Sequence, residues 1–281
     1  MIGSTRFTAT AEIARQGKLS SEIARLQQQI SSGKRLVTAS DDPNAAIRIS
    51  DIRRTQADAA VWKQNAETGA TVASAVDNNL STVASALDRA KEILLAARSG
   101  SSSAENRASY ATELEGIAQD IDSYAAANDP TGRPLFPSGT PLAFPVSETL
   151  SLPATASRAD TFGIPNSAGG TQTIADFLRA AATRLRGDDA TTITGDIATL
   201  DGAITQIAGV RTAQGIRAQR FADVQDRIAA TATDLKIELS ALEDTDLTYA
   251  LSEMQAKQLA LQAAQATFAQ ANKTTLFDRI S

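Results

Sequence analysis

Proline is confined almost entirely to one short part of this 281-residue chain. Of its eight prolines, Pro43 lies near the start and all the others fall between residues 130 and 165. Because proline lacks a backbone N–H and its ring clashes with the preceding helical turn, a long helix is disfavoured within 130–165 and permitted nearly everywhere else. The sequence therefore predicts long helices on both sides of a non-helical insert.

Apolar residues in the predicted helices recur at alternating steps of three and four, which is typical of side chains along one helical seam. The N-terminal seam comprises Leu19, Ile23, Leu26 and Ile30. The C-terminal seam comprises Leu247, Leu251, Met254, Leu261 and Phe268, with Gln258 and Gln265 at two further seam positions. The interior seams comprise Leu80, Val83, Leu87, Ala90 and Leu94, then Tyr110, Leu114, Ile117, Ile121 and Tyr124, then Ile193, Ile197, Leu200, Ile204 and Ile207, and finally Phe221, Val224 and Ile228.

The predicted helix boundaries have matching end residues. Gly33 is placed to end the first helix in a left-handed conformation. Asp42 is expected to cap the second helix, with Pro43 in its first turn. Ser102 and Glu105 have the spacing of a capping box for the third helix.

The insert, about residues 129–172, mixes proline and glycine with two short strand-like pieces, Leu135–Phe136 and Thr149–Leu152. We expect a hairpin and irregular loops there. A short amphipathic helix, Ile174–Leu185, is expected to follow and to end near Gly187.

These patterns predict a mainly α fold, an elongated, coiled-coil-like bundle of long antiparallel helices with a small β/loop insert. Aromatic residues are only 4% of the chain, so the cores are expected to be thin seams between helices. An isolated terminal helix with so narrow an apolar seam is only marginally stable in water. We therefore expect the two chain ends to pair with each other and then with neighbouring copies.

The chain divides on this interpretation into five segments. They are the N-terminal helix of the assembly core (1–40), the N-terminal half of a helical rod (41–128), the Pro/Gly-rich insert (129–172), the C-terminal half of the rod (173–243) and the C-terminal helix of the assembly core (244–281).

Composition excludes several classes of function. The chain has 27 basic and 32 acidic residues, a net charge of −5, and neither cysteine nor histidine. Nucleic acid is therefore not an expected partner, and disulfides, imidazole or thiolate metal sites and histidine-based catalytic triads are excluded. We expect no cofactor, no metal and no enzymatic activity. The first residues lack the apolar stretch of a secretory signal, and no run approaches membrane-spanning length, so no membrane partner is expected.

Two acidic groups were weighed as possible sites. Asp41 and Asp42 have the form of paired carboxylates, but a helix cap explains them better because no base or second ligand set accompanies them. Glu243, Asp244 and Asp246 lack the glycine and terminal glutamate of a calcium loop, so a solvated break between two helices is expected.

Both ends of the chain carry distinctive motifs. The N-terminal stretch Leu26–Leu36 contains Ser-Ser-Gly-Lys-Arg-Leu, and Ser40–Ala46 contains Asp-Asp-Pro. The C-terminal stretch runs from Leu242–Asp246 through Ala269–Asn272. At these residues the sequence resembles the flagellin superfamily, the axial proteins of the bacterial flagellum. With the helices between them, the resemblance covers roughly residues 1–128 and 190–281.

Within this family, the extreme ends are more similar to the hook-associated class of the hook-filament junction than to the filament subunit. The similar stretches at the ends are Met1–Phe7 and Thr275–Ile280, and the internal stretch Gly132–Gly139 resembles a Gly-Arg-x-Leu-Phe turn after the third helix of that class. Ile2 and Gly3 depart from that class, and a short filament flagellin is the alternative.

The resemblance implies a structural subunit that is exported by the flagellar type III pathway and placed outside the cell. It would form homo-oligomers beside flagellin and another hook-associated protein, and an export chaperone would hold its C-terminal seam. Arg89, Lys91 and Glu92 are similar to a subunit-contact stretch of flagellins. The alternative is an ordinary charged face with pairs three residues apart.

Two other classes share some of these features. A signalling coiled coil of the chemoreceptor kind has similar alanine-rich heptads, but it would carry a membrane span or a regular heptad register through a hairpin tip, and the sequence shows neither. A surface glycan-binding protein would place its site in the insert, in a shallow pocket lined by Arg133, Phe136, Phe144, Arg158, Asp160 and Phe162.

Overall fold

The structure is a computed structural model that describes residues 2–98, 103–166, 169–187 and 190–277. It confirms a mainly α fold with two very long helices and a small β insert. The helices are α1 (Ile2–Ser32), α2 (Pro43–Arg98), α3 (Ala104–Ala125), α4 (Arg158–Phe162), α5 (Ile174–Arg186), α6 (Ala190–Glu243) and α7 (Leu247–Phe277). The strands are β1 (Ala143–Pro145), β2 (Ser151–Pro153), β3 (Gly163–Pro165) and β4 (Thr171–Thr173), paired antiparallel as β1–β2 and β3–β4.

The chain forms two compact units. The first unit comprises residues 1–57 and 231–281, which are α1, α7, the start of α2 and the end of α6. The second unit comprises residues 58–230, which hold the rest of α2 and α6 together with α3, the insert and α5.

The core of the second unit consists of the interior seams. Tyr110, Tyr124, Ile204 and Ile228 are half-buried at its margin. The fully enclosed seam residues are Leu80, Val83, Leu87, Ala90, Leu94, Leu114, Ile117, Ile121, Ile193, Ile197, Leu200, Ile207, Phe221 and Val224. The three-and-four spacing thus identified the apolar faces of α2, α3 and α6 correctly.

Two of the three predicted helix boundaries are confirmed. Gly33 follows α1 with φ of 69°, a left-handed conformation that glycine adopts without steric cost. Asp42 precedes Pro43, and its Oδ1 accepts a hydrogen bond from the backbone N–H of Ala45 at 3.1 Å.

The predicted capping box at Ser102 and Glu105 is wrong by one residue. Ser103 caps α3, and its hydroxyl accepts a hydrogen bond from the backbone N–H of Asn106 at 3.2 Å. Adjacent serines have the same capping chemistry, so the first helical residue, Ala104, decides which one is used. Ser102 itself lies outside the described residues.

Within the insert, α5 begins and ends close to its predicted bounds. The predicted strand at Thr149–Leu152 corresponds to β2. No strand forms at Leu135–Phe136, where both side chains are buried in the core. The backbone pairing is limited to an isolated bridge between Asn128 and Pro134 and a hydrogen bond from the N–H of Leu135 to the carbonyl oxygen of Ala127 at 2.9 Å. Phe136 packs edge to face on Phe162 with ring centroids 5.0 Å apart.

Two contacts fasten the insert to the long helices within the second unit. Phe144 of β1 packs edge to face on Phe221 of α6, with centroids 6.3 Å apart. The buried Gln214 of α6 donates from Nε2 to the carbonyl oxygens of Ala73 in α2, at 3.1 Å, and Ala154 in the insert, at 2.7 Å. One side chain thus connects three segments.

Candidate assembly surface on the terminal helices

Helices α1 and α7 pack along each other in the first unit. On α1, Ile23 and Leu26 are buried, and Leu19 and Ile30 are half-buried. The four residues of the predicted N-terminal seam therefore line one face of α1.

On α7, the contact face is turned slightly from the predicted seam. Met254, Leu261 and Phe268 are half-buried, as are Lys257 and Ala264, and Ala250 is buried. Leu247 and Leu251 are 52% and 45% exposed. Two small residues, Ala250 and Ala264, thus lie on the enclosed face of α7, whereas Leu247 and Leu251 lie to one side of it.

The paired helices leave much of their apolar surface in water. No side chain within residues 10–22 or 251–270 is buried. Ile13 is 59% exposed on α1, and Tyr249 and Leu259 are 66% and 68% exposed on α7. Isolated exposed apolar residues are normal on a soluble protein. On α7, however, four of them lie within thirteen residues, at Leu247, Tyr249, Leu251 and Leu259, on a helix whose contact with α1 leaves most of its described side chains exposed.

An ion pair connects the middle of the two helices. Lys257 Nζ lies 2.6 Å from Glu22 Oε2 and 3.4 Å from Glu253 Oε1. Its hydrogen bond to Glu22 raises the pKa of Lys257, and the same bond lowers the pKa of Glu22. Lys257 lies on the observed contact face between Met254 and Leu261. At that position, one residue before the predicted seam position Gln258, the three-and-four spacing would place an apolar residue.

The turns that join α1 to α2 (residues 33–42) and α6 to α7 (residues 244–246) contact each other, and we name them the turn pair. The backbone N–H of Thr245 donates to the carbonyl oxygen of Gly33 at 2.9 Å. The backbone N–H of Arg35 donates to the carbonyl oxygen of Glu243 at 2.6 Å. The guanidinium of Arg35 donates to the carbonyl oxygen of Leu242 at 3.0 Å. Arg35 therefore satisfies carbonyls at the end of α6 that have no partner within the helix.

Glu243 is buried beside the turn pair, with 9% of its surface exposed. Its carboxylate lies 3.1 Å from Nζ of Lys34 and accepts a hydrogen bond from Arg53 of α2. The predicted solvated acidic break is therefore wrong for Glu243, because two cations compensate its burial. Asp246 caps α7, accepting a hydrogen bond from the backbone N–H of Tyr249 at 3.0 Å. Sequence reasoning considered the basic and acidic motifs separately and did not pair them.

Asp41 and Asp42 have separate structural roles, and the capping interpretation of Asp42 is confirmed. Oδ2 of Asp41 accepts hydrogen bonds from the backbone N–H groups of Thr38, at 2.8 Å, and Val37, at 3.0 Å. Both bonds lower the pKa of Asp41, and the bond from Thr38 has the larger effect.

Among the residues that the structure describes, no group of three potential ligands is placed to hold a metal ion.

Arg89, Lys91 and Glu92 lie on α2 in the second unit and form ion pairs within the chain. Arg89 Nε lies 2.8 Å from Glu113 Oε1 of α3, and Nη1 lies 3.0 Å from Glu92 Oε2. The hydrogen bond to Glu113 raises the pKa of Arg89. Lys91 Nζ lies 2.7 Å from Asp201 Oδ1 of α6. The role of these three residues in subunit contact stays a prediction.

The six insert residues considered for glycan binding do not form an open aromatic platform. Phe136, Phe144 and Phe162 are buried in the core. The charged residues serve local structure, because Arg133 pairs with Asp129, Arg158 donates to the carbonyl oxygen of Ala125, and Asp160 accepts from Ser157. A cavity of about 80 Å³ lies beside Phe162 and Arg158, which is room for only a few water molecules.

No helix in the described part of the chain is long and apolar enough to cross a membrane.

The fold and the terminal helices define a class, namely a helical protein whose two chain ends pair in one unit. Comparison with family models identifies the family. Residues 4–138 match the bacterial flagellin N-terminal helical region, and residues 197–278 match the bacterial flagellin C-terminal helical region. The chain belongs to the bacterial flagellin family.

The similar proteins include a flagellar hook-associated protein and a flagellin. The chain is 33% identical over 115 residues to flagellar hook-associated protein 3 of Salmonella typhimurium, a match that spans 41% of this chain and 36% of that protein. It is 25% identical over 257 residues to flagellin of Listeria monocytogenes, a match that spans 90% of this chain and 89% of that flagellin. A solved structure of a flagellar hook-associated protein from Vibrio parahaemolyticus has a TM-score of 0.66 at 18% identity, covering 73% of this chain and 100% of that one. The fold is therefore shared with that structure.

Proposed function

We propose that the chain is a structural subunit of the bacterial flagellum that joins the hook to the filament. It acts outside the cell after export by the flagellar type III pathway, and it has no enzymatic activity. The proposal draws on the hook-associated relative, on the shared fold, and on the similarity of the chain ends to the hook-associated class.

The observation that carries the proposal is the half-closed contact between α1 and α7. Full burial of a leucine or isoleucine side chain contributes roughly 1.5–3 kcal/mol. Leu247, Leu251 and Leu259 remain in water on α7, and Ile13 remains in water on α1. Packing against the terminal helices of neighbouring copies would bury all four in every subunit, so burial is completed by assembly.

The same surface defines the expected partners. Further copies of the chain form a ring, with another hook-associated protein and flagellin as axial neighbours. Before export, an amphipathic surface of this kind fits the groove of a chaperone. These partners follow from the family and remain part of the proposal.

Substituting exposed leucines of α7 tests the assembly role. In Leu251→Asn/Leu259→Asn, we expect the helical content of the monomer to be unchanged, because neither side chain is buried. We expect the fraction that co-assembles with flagellin, measured by sedimentation and electron microscopy, to fall at least tenfold. Ile216→Asn is the matched control, since Ile216 is 60% exposed in the second unit. Normal assembly of the double variant would contradict the terminal-helix mechanism.

A second candidate function is the filament subunit itself. The observation in its favour is that the Listeria flagellin match spans nearly the whole of both chains. Immunogold electron microscopy of intact flagella separates the two functions. The junction proposal predicts label in one narrow band between hook and filament, whereas label along the whole filament would establish the alternative.

A further inference from the structure

The turn pair connects both terminal helices to the long helices α2 and α6 within the first unit. Helix α1 continues into α2 through residues 33–42, and α6 continues into α7 through residues 244–246. A change of conformation in either connection would change the direction in which α1 or α7 leaves. The contacts that hold the turns therefore control how the assembly surface is presented.

The backbone contacts between the turns depend on a special conformation. The carbonyl oxygen of Gly33 reaches Thr245 while Gly33 has a left-handed φ of 69°. Gln29 braces the same turn by donating from its side chain to the carbonyl oxygen of Arg35 at 2.7 Å. Lys34 and Asp244 form an isolated antiparallel bridge. The turns thus pair along their backbones without a regular strand.

Glu243 adds a charged centre to this pairing. Its side chain is 11% exposed, whereas the side chains of Lys34 and Arg53 are 50% and 57% exposed. A buried carboxylate without cations would be strongly unfavourable, so closure of the turns and pairing of the charges depend on each other. The two cations come from different segments, one from the first turn and one from α2.

The apolar core of the first unit is small, which makes these polar contacts important. Its buried apolar side chains within the described residues are Ile23, Leu26, Ala45, Ile49, Ile52 and Ala250. Three of them lie at the start of α2 and only one lies on α7. Apolar burial alone therefore anchors α7 weakly.

We infer that Glu243 is a positioning residue that, through Lys34 and Arg53, holds the turn pair closed and so keeps α1 and α7 joined to the start of α2 and the end of α6. The inference goes beyond the proposed function, because it concerns a single copy of the chain. The Gly33–Arg35 and Glu243–Asp246 motifs then share one role, which is to hold the turn pair closed.

Hydrogen exchange of the dilute monomer, followed by mass spectrometry, tests this role in the full chain. In Glu243→Gln, we expect the amides of α1 and α7 to exchange at least tenfold faster, while those of α3 and α5 in the second unit keep their wild-type rates. Glu238→Gln is the matched control, because Glu238 also lies on α6 and pairs with Arg48 at 2.6 Å, but its side chain is 39% exposed. We expect the control to change exchange of α1 and α7 less than threefold.

Equal effects of the two variants, or no effect of Glu243→Gln, would overturn the inference. If Glu243→Gln fails to fold, Lys34→Gln and Arg53→Gln each remove one exposed partner and are expected to accelerate exchange of α1 and α7 selectively. Wild-type exchange in both of these variants would likewise overturn it. Because exchange is measured on the monomer, failure of this inference is distinguishable from failure of the proposed assembly function.

Discussion

Asp129, in the loop after α3, is expected to make the stability of the second unit dependent on acid pH. Its side chain is 1% exposed. Oδ1 accepts hydrogen bonds from the backbone and the hydroxyl of Thr131, at 2.8 and 2.6 Å, and from the backbone of Arg133 at 2.9 Å. Burial raises the pKa of Asp129, but these bonds and the guanidinium of Arg133 outweigh it and lower the pKa from 3.8 to about 2.

The size of the effect follows from linkage between protonation and folding. A depression from 3.8 to about 2 corresponds to roughly 2 kcal/mol of stability, since one pKa unit is about 1.4 kcal/mol. The contribution is fully present above the unfolded pKa and is lost as the pH falls through the folded pKa. Between pH 7 and pH 3, the carboxylate should therefore lose about 1 kcal/mol of its stabilising effect.

The comparison of wild type with Asp129→Asn isolates this group from other acids that titrate in the same range. We expect the variant to be less stable by about 2 kcal/mol at pH 7, because the amide cannot supply the charge that Arg133 meets. The difference should narrow by about half at pH 3. Urea unfolding of both proteins at each pH, followed by circular dichroism, measures it. A stability difference that is the same at pH 7 and pH 3 would refute the reasoning.

Two further predictions concern packing in the second unit. Gly69→Ala should destabilise the protein although alanine favours helix, because its Cβ would lie 2.4 Å from the ring of Phe221. Gly116→Ala in α3 should stabilise the protein by up to about 1 kcal/mol, because apart from the neighbouring helix backbone no atom lies within 4 Å of the added Cβ. Thermal unfolding measures both variants, and equal shifts in Tm would contradict the packing argument. Gln214→Leu should lower the free energy of unfolding by about 1–3 kcal/mol, since the carbonyl oxygen of Ala154 would lose its buried donor. Urea unfolding measures this, and an unchanged free energy would show that the insert does not depend on the bond.

Local chemistry explains why much of the fold was predictable from sequence. The confinement of proline to one stretch identified the insert, because the steric exclusion of proline from helices operates within a few residues. Gly33 and Asp42 marked helix ends for the same reason, and the three-and-four spacing identified the core faces of the interior helices. Ser103 shows the limit of such signals, because two adjacent serines are chemically equivalent until the helix start is known.

The assembly site depends on longer-range contacts. The apolar spacing places Leu251 on the seam of α7, but the structure buries the adjacent Ala250 and leaves Leu251 45% exposed. The phenylalanines of the insert were considered for an open pocket, although the chain folds them inward. Aromatic residues have the same signature in both settings, and only the packed structure distinguishes them.

By itself, the sequence determined that long helices flank a non-helical insert and which faces of the interior helices are enclosed, because those properties depend on near neighbours along the chain. Only the tertiary structure decided that Glu243 is buried and that Lys34 and Arg53 meet its charge. These residues are brought together by the folding of both chain ends, and the energy of a buried carboxylate depends on which groups surround it in space.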